Sequence, residues 1–270
     1  MGLLIEVGEI SLLLLGAICV LFQYVALWIG AWFGHRSRAR HAGDGDPTEG
    51  VGIVVGSLLG LLAFALGLTL SIAESRFEER RRVAVDEANA IGTAWLRAHA
   101  VGGEHGLAVA RELETYTRRR IEWMQAPPKD IPGRMAREAA EHAQSIVWGH
   151  AVVLARERPD PVVAQLLASL NETIDLAATQ RWAFRSQIPP QLPWLLLALT
   201  VAGVAGIGVQ WGLKGRWHPW VAMLLLSGWS ACLVLIVDFA SPRLGDIRVD
   251  VSPYLWTLES FAGGIRMPAP

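Results

Sequence analysis

The sequence has almost no cysteine, and long stretches of it carry no charge. Only Cys19 and Cys232 occur, and each lies inside an apolar stretch. Both are expected to be small hydrophobic side chains, because two such thiols supply neither a disulfide framework nor a cysteine metal site. The formal net charge of -1 provides no large basic field for nucleic acid. We therefore expect no cofactor, no metal and no nucleic-acid partner.

Catalytic motifs are missing as well. The sequence contains no nucleophile elbow, phosphate-binding loop, zinc signature or pair of catalytic carboxylates. Its seven histidines show no ligand spacing. His142 and His150 are about 80° out of register on a helix, and His99 and His105 flank a Gly-Gly turn. These absences predict a protein that is not an enzyme.

Four windows contain no Asp, Glu, Lys or Arg: Ile10–Gly34, Gly50–Ala73, Ser186–Leu213 and Trp217–Val237. Each can cross a bilayer, because about 20 apolar residues at roughly 1.5 Å per residue cover a hydrocarbon core of roughly 30 Å. Four buried helices of a soluble protein are the alternative, but such helices rarely run so far without a charge. We do not expect the first window to be a cleavable signal peptide, because Glu6 and Glu9 stand where a basic start is typical.

The order of polar and apolar segments predicts an all-α integral membrane protein, with four transmembrane helices in two hairpins and a helical bundle inserted between them. Residues 1–75 form the first hairpin, with spans at about 10–33 and 51–73, and residues 76–187 form the helical domain. Residues 188–240 form the second hairpin, with spans at about 192–213 and 217–238, and residues 241–270 form a C-terminal segment. No stretch alternates with the period of a strand.

Helical periodicity in the middle segment indicates which faces are buried. One apolar stripe is Phe77, Ala84, Ala88, Ile91 and Trp95. A second is Met135, Ala139, His142, Ile146, Gly149 and Val153. Between Val51 and Ile91 there is no proline, so one helix of roughly 40 residues can run from the second span into the polar domain. A break near Glu74–Arg76 is the alternative.

The balance of basic residues near the span ends favours a cytoplasmic middle domain with both termini on the same side. On that side lie Arg76, Arg80, Arg81, Arg82, Arg181, Arg185, Arg243 and Arg248. On the other lie Arg36, Arg38, Arg40, Lys214 and Arg216. The composition, rich in Arg, Ala and Gly, suggests a bacterial source, so we expect a multi-pass protein of the bacterial inner membrane.

Two faces of the second span are candidates for function. The first carries Gly52, Gly56, Gly60 and Gly67, a spacing that lets helix backbones approach closely in lipid. This packing can lie within one chain or between subunits. The second carries Ser57, Phe64, Leu68, Ser71 and Ser75. These side chains could line a pore with an apolar constriction, or the serines could simply bond to their own helix.

Charged residues lie at the inner ends of two spans. Glu74 and Asp238 sit at a depth where a carboxylate is costly unless it is paired or faces water. Arg76, Arg185 or Arg243 could pair with them as a structural brace. The alternative is a charged pore exit, with a ring of Glu74 that tunes ion selectivity in an oligomer.

Three segments carry a resemblance to a known family. VDEANAIGTAWLRA (85–98), LNETIDLAATQRWAFRSQIPP (170–190) and DFASPRLGDIRVD (238–250) resemble the signature segments of the bestrophin-like domain family of bacterial membrane proteins. The likeness to true bestrophins is more distant. Those are oligomeric anion channels with cytoplasmic termini and a pore lined by the second membrane helix, so the resemblance implies the same topology here. An acidic calcium-binding cluster is not evident.

The polar residues of these segments need partners if the bundle buries them. Glu87, Asn89, Asn171, Glu172 and Asp175 are expected to bond one another where the first and last middle helices meet. The functional prediction is an oligomeric ion channel, or channel-like protein, with a pore lined by the second transmembrane helix. Its partners would be the lipid bilayer, small inorganic ions and further copies of the chain. The alternative is a non-conducting membrane scaffold or sensor that couples the bilayer to the helical domain.

Overall fold

The computed structural model describes residues 12–38, 48–126, 131–185, 189, 191–242 and 247–265. These residues form helices α1 (Leu12–Arg38), α2 (Thr48–Val101), α3 (Gly103–Gln125), α4 (Ile131–Glu157), α5 (Pro161–Arg185), α6 (Gln191–Lys214), α7 (Pro219–Ala240) and α8 (Ser252–Ala262). The described ranges contain no strand. The all-α prediction is therefore confirmed.

The chain divides into two compact units. The first comprises Met1–Ser75, Gln187–Ser241 and Gly245–Ile247, and the second comprises Arg76–Ser186, Pro242–Leu244 and Arg248–Pro270. Helix α2 contributes to both, because its 54 residues continue through Glu74–Arg76 without a break. The prediction of a single long helix is confirmed.

Within the described residues, four helices are long and apolar enough to cross a membrane, and each overlaps one of the four predicted spans. They are α1, α2, α6 and α7, with the membrane part of α2 at its N-terminal end. Their outer faces are strongly apolar: Leu13 is 87% exposed and Trp220 is 83% exposed. Such exposure fits lipid as the surrounding solvent, since large contiguous apolar patches are rare on soluble proteins.

Glycine allows α1 and α6 to pack with their backbones in contact. A Cβ atom on Gly30 would overlap the carbonyl oxygen of Ala205, and one on Gly208 would overlap that of Leu27. Gly34 and Gly212, one turn further along their helices, are crowded in the same way. This is the small-residue packing that replaces hydrophobic drive in lipid.

A polar contact joins α1 to α7 inside the first unit. The Nε2 atom of Gln23 donates a hydrogen bond of 2.9 Å to Oγ of Ser230, and both side chains are buried. In a membrane such a bond stabilises modestly, by about 0.6 kcal/mol on average. It fixes the register of α1 against α7.

The second unit is a helical bundle built around the C-terminal part of α2. Ala84, Ala88, Ile91 and Trp95 are buried and Phe77 packs against them, so the predicted stripe on this helix is confirmed. Helix α8 covers the same core, with the Phe261 ring stacked on Trp95 at 4.7 Å between ring centroids.

The predicted stripe on α4 is wrong. Met135 is 61% exposed and His142 is exposed, whereas the helix buries Gly133, Ala136, Ala140, Ala143, Val147, Ala151 and Leu154. The buried face is composed mainly of alanine, because small side chains let α4 lie close to α3. The prediction followed larger apolar side chains such as Met135, which lie on the exposed side of the helix.

Candidate functional site

The five pore-lining candidates share one exposed face of α2. Phe64 is 69% exposed and Leu68 is 50% exposed, and the side chains of Ser57, Ser71 and Ser75 are exposed as well. Val55, Leu62, Leu66 and Ala73 form the buried face of the same segment. At about 100° per residue the two faces point in nearly opposite directions.

The order of side chains along the exposed face is polar, then apolar, then polar. Ser57 precedes the apolar pair Phe64 and Leu68, and Ser71 and Ser75 follow it. The hydroxyl of Ser57 donates to the carbonyl oxygen of Ile53 at 2.9 Å, as expected for a serine that is satisfied within its own helix. Its oxygen can still accept a hydrogen bond from water.

The glycines of α2 do not behave alike. A Cβ atom on Gly52 would lie 2.7 Å from the Nε2 atom of Gln210 on α6, so this glycine packs within the chain. A Cβ atom on Gly56, Gly60 or Gly67 would meet nothing within 4 Å in the part of the chain that the structure describes. The face that these three form is therefore open with respect to those residues. The close glycine packing between α1 and α6 has the same sequence spacing, and the sequence interpretation missed it.

The charged candidates have different surroundings. Glu74 is exposed, and Arg76 forms an ion pair with Glu79 at 3.0 Å, so the basic residue beside Glu74 has a different acidic partner. Asp238 is buried, and its Oδ1 atom accepts a hydrogen bond of 3.3 Å from the backbone N–H of Ile247. Arg243 lies outside the described residues.

A buried polar network lies in the second unit, centred on Glu87. The Nε and Nη2 atoms of Arg120 donate to its two carboxylate oxygens at 2.9 and 2.7 Å. The hydroxyls of Tyr116 and Tyr254 donate to the same oxygens at 2.5 and 2.6 Å. The network therefore ties together α2, α3 and α8 through one carboxylate.

Gln180 on α5 completes this network. Its Nε2 atom donates to the hydroxyl oxygen of Tyr254 at 2.8 Å, and its Oε1 atom accepts a hydrogen bond from Arg120. The guanidinium of Arg120 also lies over the Trp123 ring, with 4.6 Å between its Cζ atom and the ring centroid. Because the buried charges face each other and polar neighbours, the desolvation penalty is largely offset.

The network has electrostatic consequences for its members. Burial, and next the negative charge of Glu87, raise the pKa of the Tyr116 and Tyr254 hydroxyls well above the ordinary value, while Arg120 acts in the opposite direction. Burial alone would lower the pKa of Arg120, but the carboxylate of Glu87 raises it overall. Both tyrosines therefore stay neutral donors to a charged pair at physiological pH.

The sequence placed Glu87 in a buried polar cluster but chose the wrong partners. Asn89, Asn171, Glu172 and Asp175 are all exposed, and Asn171 donates to Asp175 on its own helix at 3.1 Å. Tyr116, Arg120 and Tyr254, the true partners, lie 29, 33 and 167 positions from Glu87. Periodicity within one helix does not relate residues so far apart, so the sequence held no signal that identifies these partners.

The network is suited to a structural role. Glu87, Tyr116, Gln180 and Tyr254 are each at most 1% exposed, so substrate has no access to them. Within the described part of the chain, no group of three or more His, Cys, Asp or Glu side chains could hold a metal ion.

Comparison with known proteins assigns the chain to a family. The model of the Bestrophin-like domain matches residues 21–254. Among curated protein sequences none matches the chain.

Solved structures of a bacterial Bestrophin homolog from Klebsiella pneumoniae have a similar fold. One variant has 12% identity and a TM-score of 0.68, covering 93% of this chain and 97% of its own. A second has 15% identity and a TM-score of 0.65, covering 92% and 96%. A third has 14% identity and a TM-score of 0.65, covering 89% and 94%. The structural likeness concerns the fold, and the family match rests on the sequence. This chain is a member of the Bestrophin-like family.

Proposed function

We propose that this protein is an oligomeric ion channel, or a channel-like protein, whose pore is lined by the membrane-spanning part of α2. The observation that carries the proposal is the exposed face of Ser57, Phe64, Leu68, Ser71 and Ser75, opposite the face that packs on its own chain. Copies of α2 arranged around an axis would present serine rungs above and below an apolar constriction. Such a constriction can gate conduction by dewetting.

The open glycine face supports an oligomer. A Cβ atom on Gly56, Gly60 or Gly67 would meet nothing within 4 Å among the described residues of the single chain, and these glycines lie roughly 90° from the proposed pore face. Small residues at this spacing let helices of adjacent copies approach closely. The side of α2 would then pack on a neighbouring subunit while its outer face lines the centre.

The charged residues at the inner ends of the spans fit two different roles, a charged pore exit and a structural brace. Glu74 is exposed and could form an acidic ring in the oligomer. Arg76 is paired with Glu79, and Asp238 holds the backbone of Ile247, so these two fit a bracing role better. Arg243 remains a candidate for the same brace from its position in the sequence.

We place the protein in the bacterial inner membrane, with its helical domain and both termini in the cytoplasm. The excess of arginine near the inner ends of the spans supports this orientation. Labelling of a cysteine introduced at exposed Glu172 by an impermeant reagent from outside intact cells would contradict it.

A membrane scaffold or sensor is the second candidate, and the continuity of α2 favours it. One helix extends from Thr48 to Val101, and its buried Glu87 is fastened to α3 and α8. A displacement of the apolar part would reach that network through unbroken backbone. In this case the protein would not conduct.

Ion flux in liposomes tests the two candidates. Purified protein is reconstituted, and anion and cation flux are compared with those of empty liposomes. Phe64→Ala should raise the flux several-fold by widening the apolar constriction. Ser71→Asp should shift the permeability ratio towards cations, because it adds negative charge to the pore face.

Leu224→Ala on α7 is the matched control, since this side chain is 79% exposed but does not lie on the proposed pore face. It should conduct like the wild type. If the wild type and the α2 variants all match empty liposomes across pH and voltage, the channel assignment fails and the scaffold is favoured.

Gly60→Leu tests the oligomer separately, and an unchanged oligomeric mass would argue against the glycine interface.

A further inference from the structure

An imidazole pair joins α3 to α4 in the second unit. The Nδ1 atoms of His105 and His150 lie 2.9 Å apart, and both side chains are half-buried. The residues are 45 positions apart in the sequence, so sequence spacing gave no indication of the pair. We propose that His105 and His150 bind one divalent late transition-metal ion, of the copper, nickel and zinc class, through their Nδ1 atoms.

The backbone around His105 is held in place. Gly102 and Gly103 have φ values of 64° and 67°, which make the tight turn from α2 into α3. A Cβ atom on Gly106 would lie 2.8 Å from the carbonyl oxygen of Ala98, so the first turn of α3 packs directly on the last turns of α2. His105 is therefore presented from a fixed position.

The helix that carries His150 is tied to the same place. Arg158, which follows the end of α4, donates from Nη1 to the carbonyl oxygen of Val101 at 3.1 Å, and from Nη2 to Asp160 at 3.0 Å. Both imidazoles thus lie on elements anchored to the C-terminal end of α2. Preorganised ligands lower the entropic cost of binding.

The separation of the two nitrogen atoms suits a shared metal ion. Two ligands about 2.05 Å from a metal are roughly 2.9 Å apart at an angle of 90°, the angle of tetragonal Cu²⁺ and Ni²⁺ sites. The observed separation of 2.9 Å matches that value. For tetrahedral Zn²⁺ the nitrogens would be roughly 3.3 Å apart, which small rotations of the two rings can supply.

The ligand type selects the class of metal. Imidazole nitrogen suits copper, nickel and zinc, whereas magnesium and calcium prefer oxygen ligands. Water would complete the coordination, because the described residues offer no third His, Cys, Asp or Glu at this place. The affinity should therefore be lower than that of a structural zinc site with four protein ligands.

Without a metal ion the two histidines form a hydrogen bond, in which Nδ1–H of one imidazole donates to Nδ1 of the other. A bound metal ion would replace this proton as the bridge between the two nitrogen atoms. Acidification should release the ion, because only neutral imidazole binds a metal. Binding would stabilise the junction of α3 and α4 in the folded state.

Metal titration of the intact protein tests the proposal. Protein made without a polyhistidine tag and stripped with a chelator is titrated with Cu²⁺, Ni²⁺, Zn²⁺ or Mg²⁺ by calorimetry. The wild type should bind one Cu²⁺, Ni²⁺ or Zn²⁺ per chain and no Mg²⁺, and the bound metal should raise its unfolding temperature by several degrees. His105→Asn and His150→Asn should lose both the bound equivalent and the thermal shift.

His142→Asn is the matched control, because His142 is an exposed histidine on the same helix as His150. It should bind like the wild type. Retention of the metal by either Asn variant, or no binding by the wild type, would overturn the proposal. Should the variants fail to fold, histidine modification of the wild type decides the matter: metal should protect His105 and His150 alone, and equal labelling with and without metal would contradict the site.

Discussion

Glu87 and Arg120 form a two-point ion pair, 2.9 and 2.7 Å between donor and acceptor atoms, in the interior of the second unit. Both side chains are nearly excluded from solvent. Removing two charges from water costs several kcal/mol per ion, and the attraction between them offsets this only when geometry and hydrogen bonding are good. Here the two tyrosine hydroxyls and Gln180 supply the further bonds.

Breaking this pair should strongly destabilise the protein. Glu87→Gln leaves Arg120 buried with a charge that is no longer neutralised, and we expect a loss of about 3–5 kcal/mol in the free energy of unfolding. Denaturant unfolding followed by tryptophan fluorescence measures this loss.

Glu122→Gln is the control, because Glu122 forms an exposed ion pair with Arg119 at 2.8 Å on α3, the helix that also carries Arg120. That exposed pair should contribute no more than about 1 kcal/mol. Equal effects of the two changes would contradict the structural role of the buried pair.

Alkaline pH should weaken the bundle. The pKa values of Tyr116 and Tyr254 are raised in the folded protein, so the folded state retains protons that the unfolded chain releases. The resulting stability is fully present below the ordinary tyrosine pKa of about 10 and is lost as the pH rises beyond it. The unfolding temperature, measured at a series of pH values, should fall from about pH 10 upward.

Phenylalanine variants separate the tyrosine effect from general alkaline denaturation. Tyr254→Phe should cost about 1–3 kcal/mol at neutral pH, because Glu87 loses a donor, and should flatten the alkaline decline. Tyr24→Phe leaves both tyrosine bonds to Glu87 in place and should keep the wild-type pH profile. A decline of the same steepness in all three proteins would exclude the buried hydroxyls as its cause.

Glycine substitutions should separate the two glycine faces. Gly208→Ala places a methyl group against the carbonyl oxygen of Leu27, so α1 and α6 must move apart. The expected loss is about 1–3 kcal/mol. Among the described residues of the single chain, a Cβ atom on Gly60 meets nothing within 4 Å, so in the monomer Gly60→Ala should be neutral or slightly stabilising, by up to about 1 kcal/mol, because alanine has the better helix propensity. Thermal unfolding in detergent gives both values, and a smaller loss at Gly208 than at Gly60 would refute the assigned α1–α6 packing.

The polar contact between α1 and α7 makes a smaller, separate prediction. Ser230→Ala removes the acceptor of the Gln23 amide at 2.9 Å. We expect a loss of about 0.6–2 kcal/mol, the range for a single hydrogen bond between membrane helices. Ser227→Ala on the same helix, at an exposed position, should change stability by less. Thermal unfolding in detergent measures both changes, and indistinguishable values would mean that the Gln23 amide bond adds nothing.

Patterns along the chain predicted the helices more reliably than the contacts between them. The charge-free windows gave the four spans, and the absence of proline gave the unbroken α2. The stripe on α2 from Ala84 to Trp95 was right because its buried residues are apolar and recur at helical spacing. The stripe on α4 was wrong because its contact face is made of alanine, whose weak hydrophobicity is outweighed by Met135 on the outside.

For the candidate site, sequence located the positions but left their roles open. The face from Ser57 to Ser75 was found by periodicity, and its exposure agrees with a pore or with lipid. The partners of Glu87 could not be found in this way, because Arg120 and Tyr254 are 33 and 167 positions away. The same holds for His105 and His150, which only the packing of α3 on α4 brings together.

By itself the sequence determined that the chain is helical, that four segments suit lipid and that it belongs to the Bestrophin-like family. The helices and the spans follow from hydrophobicity, charge and local backbone preference, which act over a few turns of a helix, and family membership follows from the match over residues 21–254. Only the tertiary structure decided which glycines let helices touch, which carboxylate is buried in an ion pair and which histidines meet. Such contacts depend on the close packing of side chains that are distant in the chain, and periodicity within one helix does not specify its neighbour.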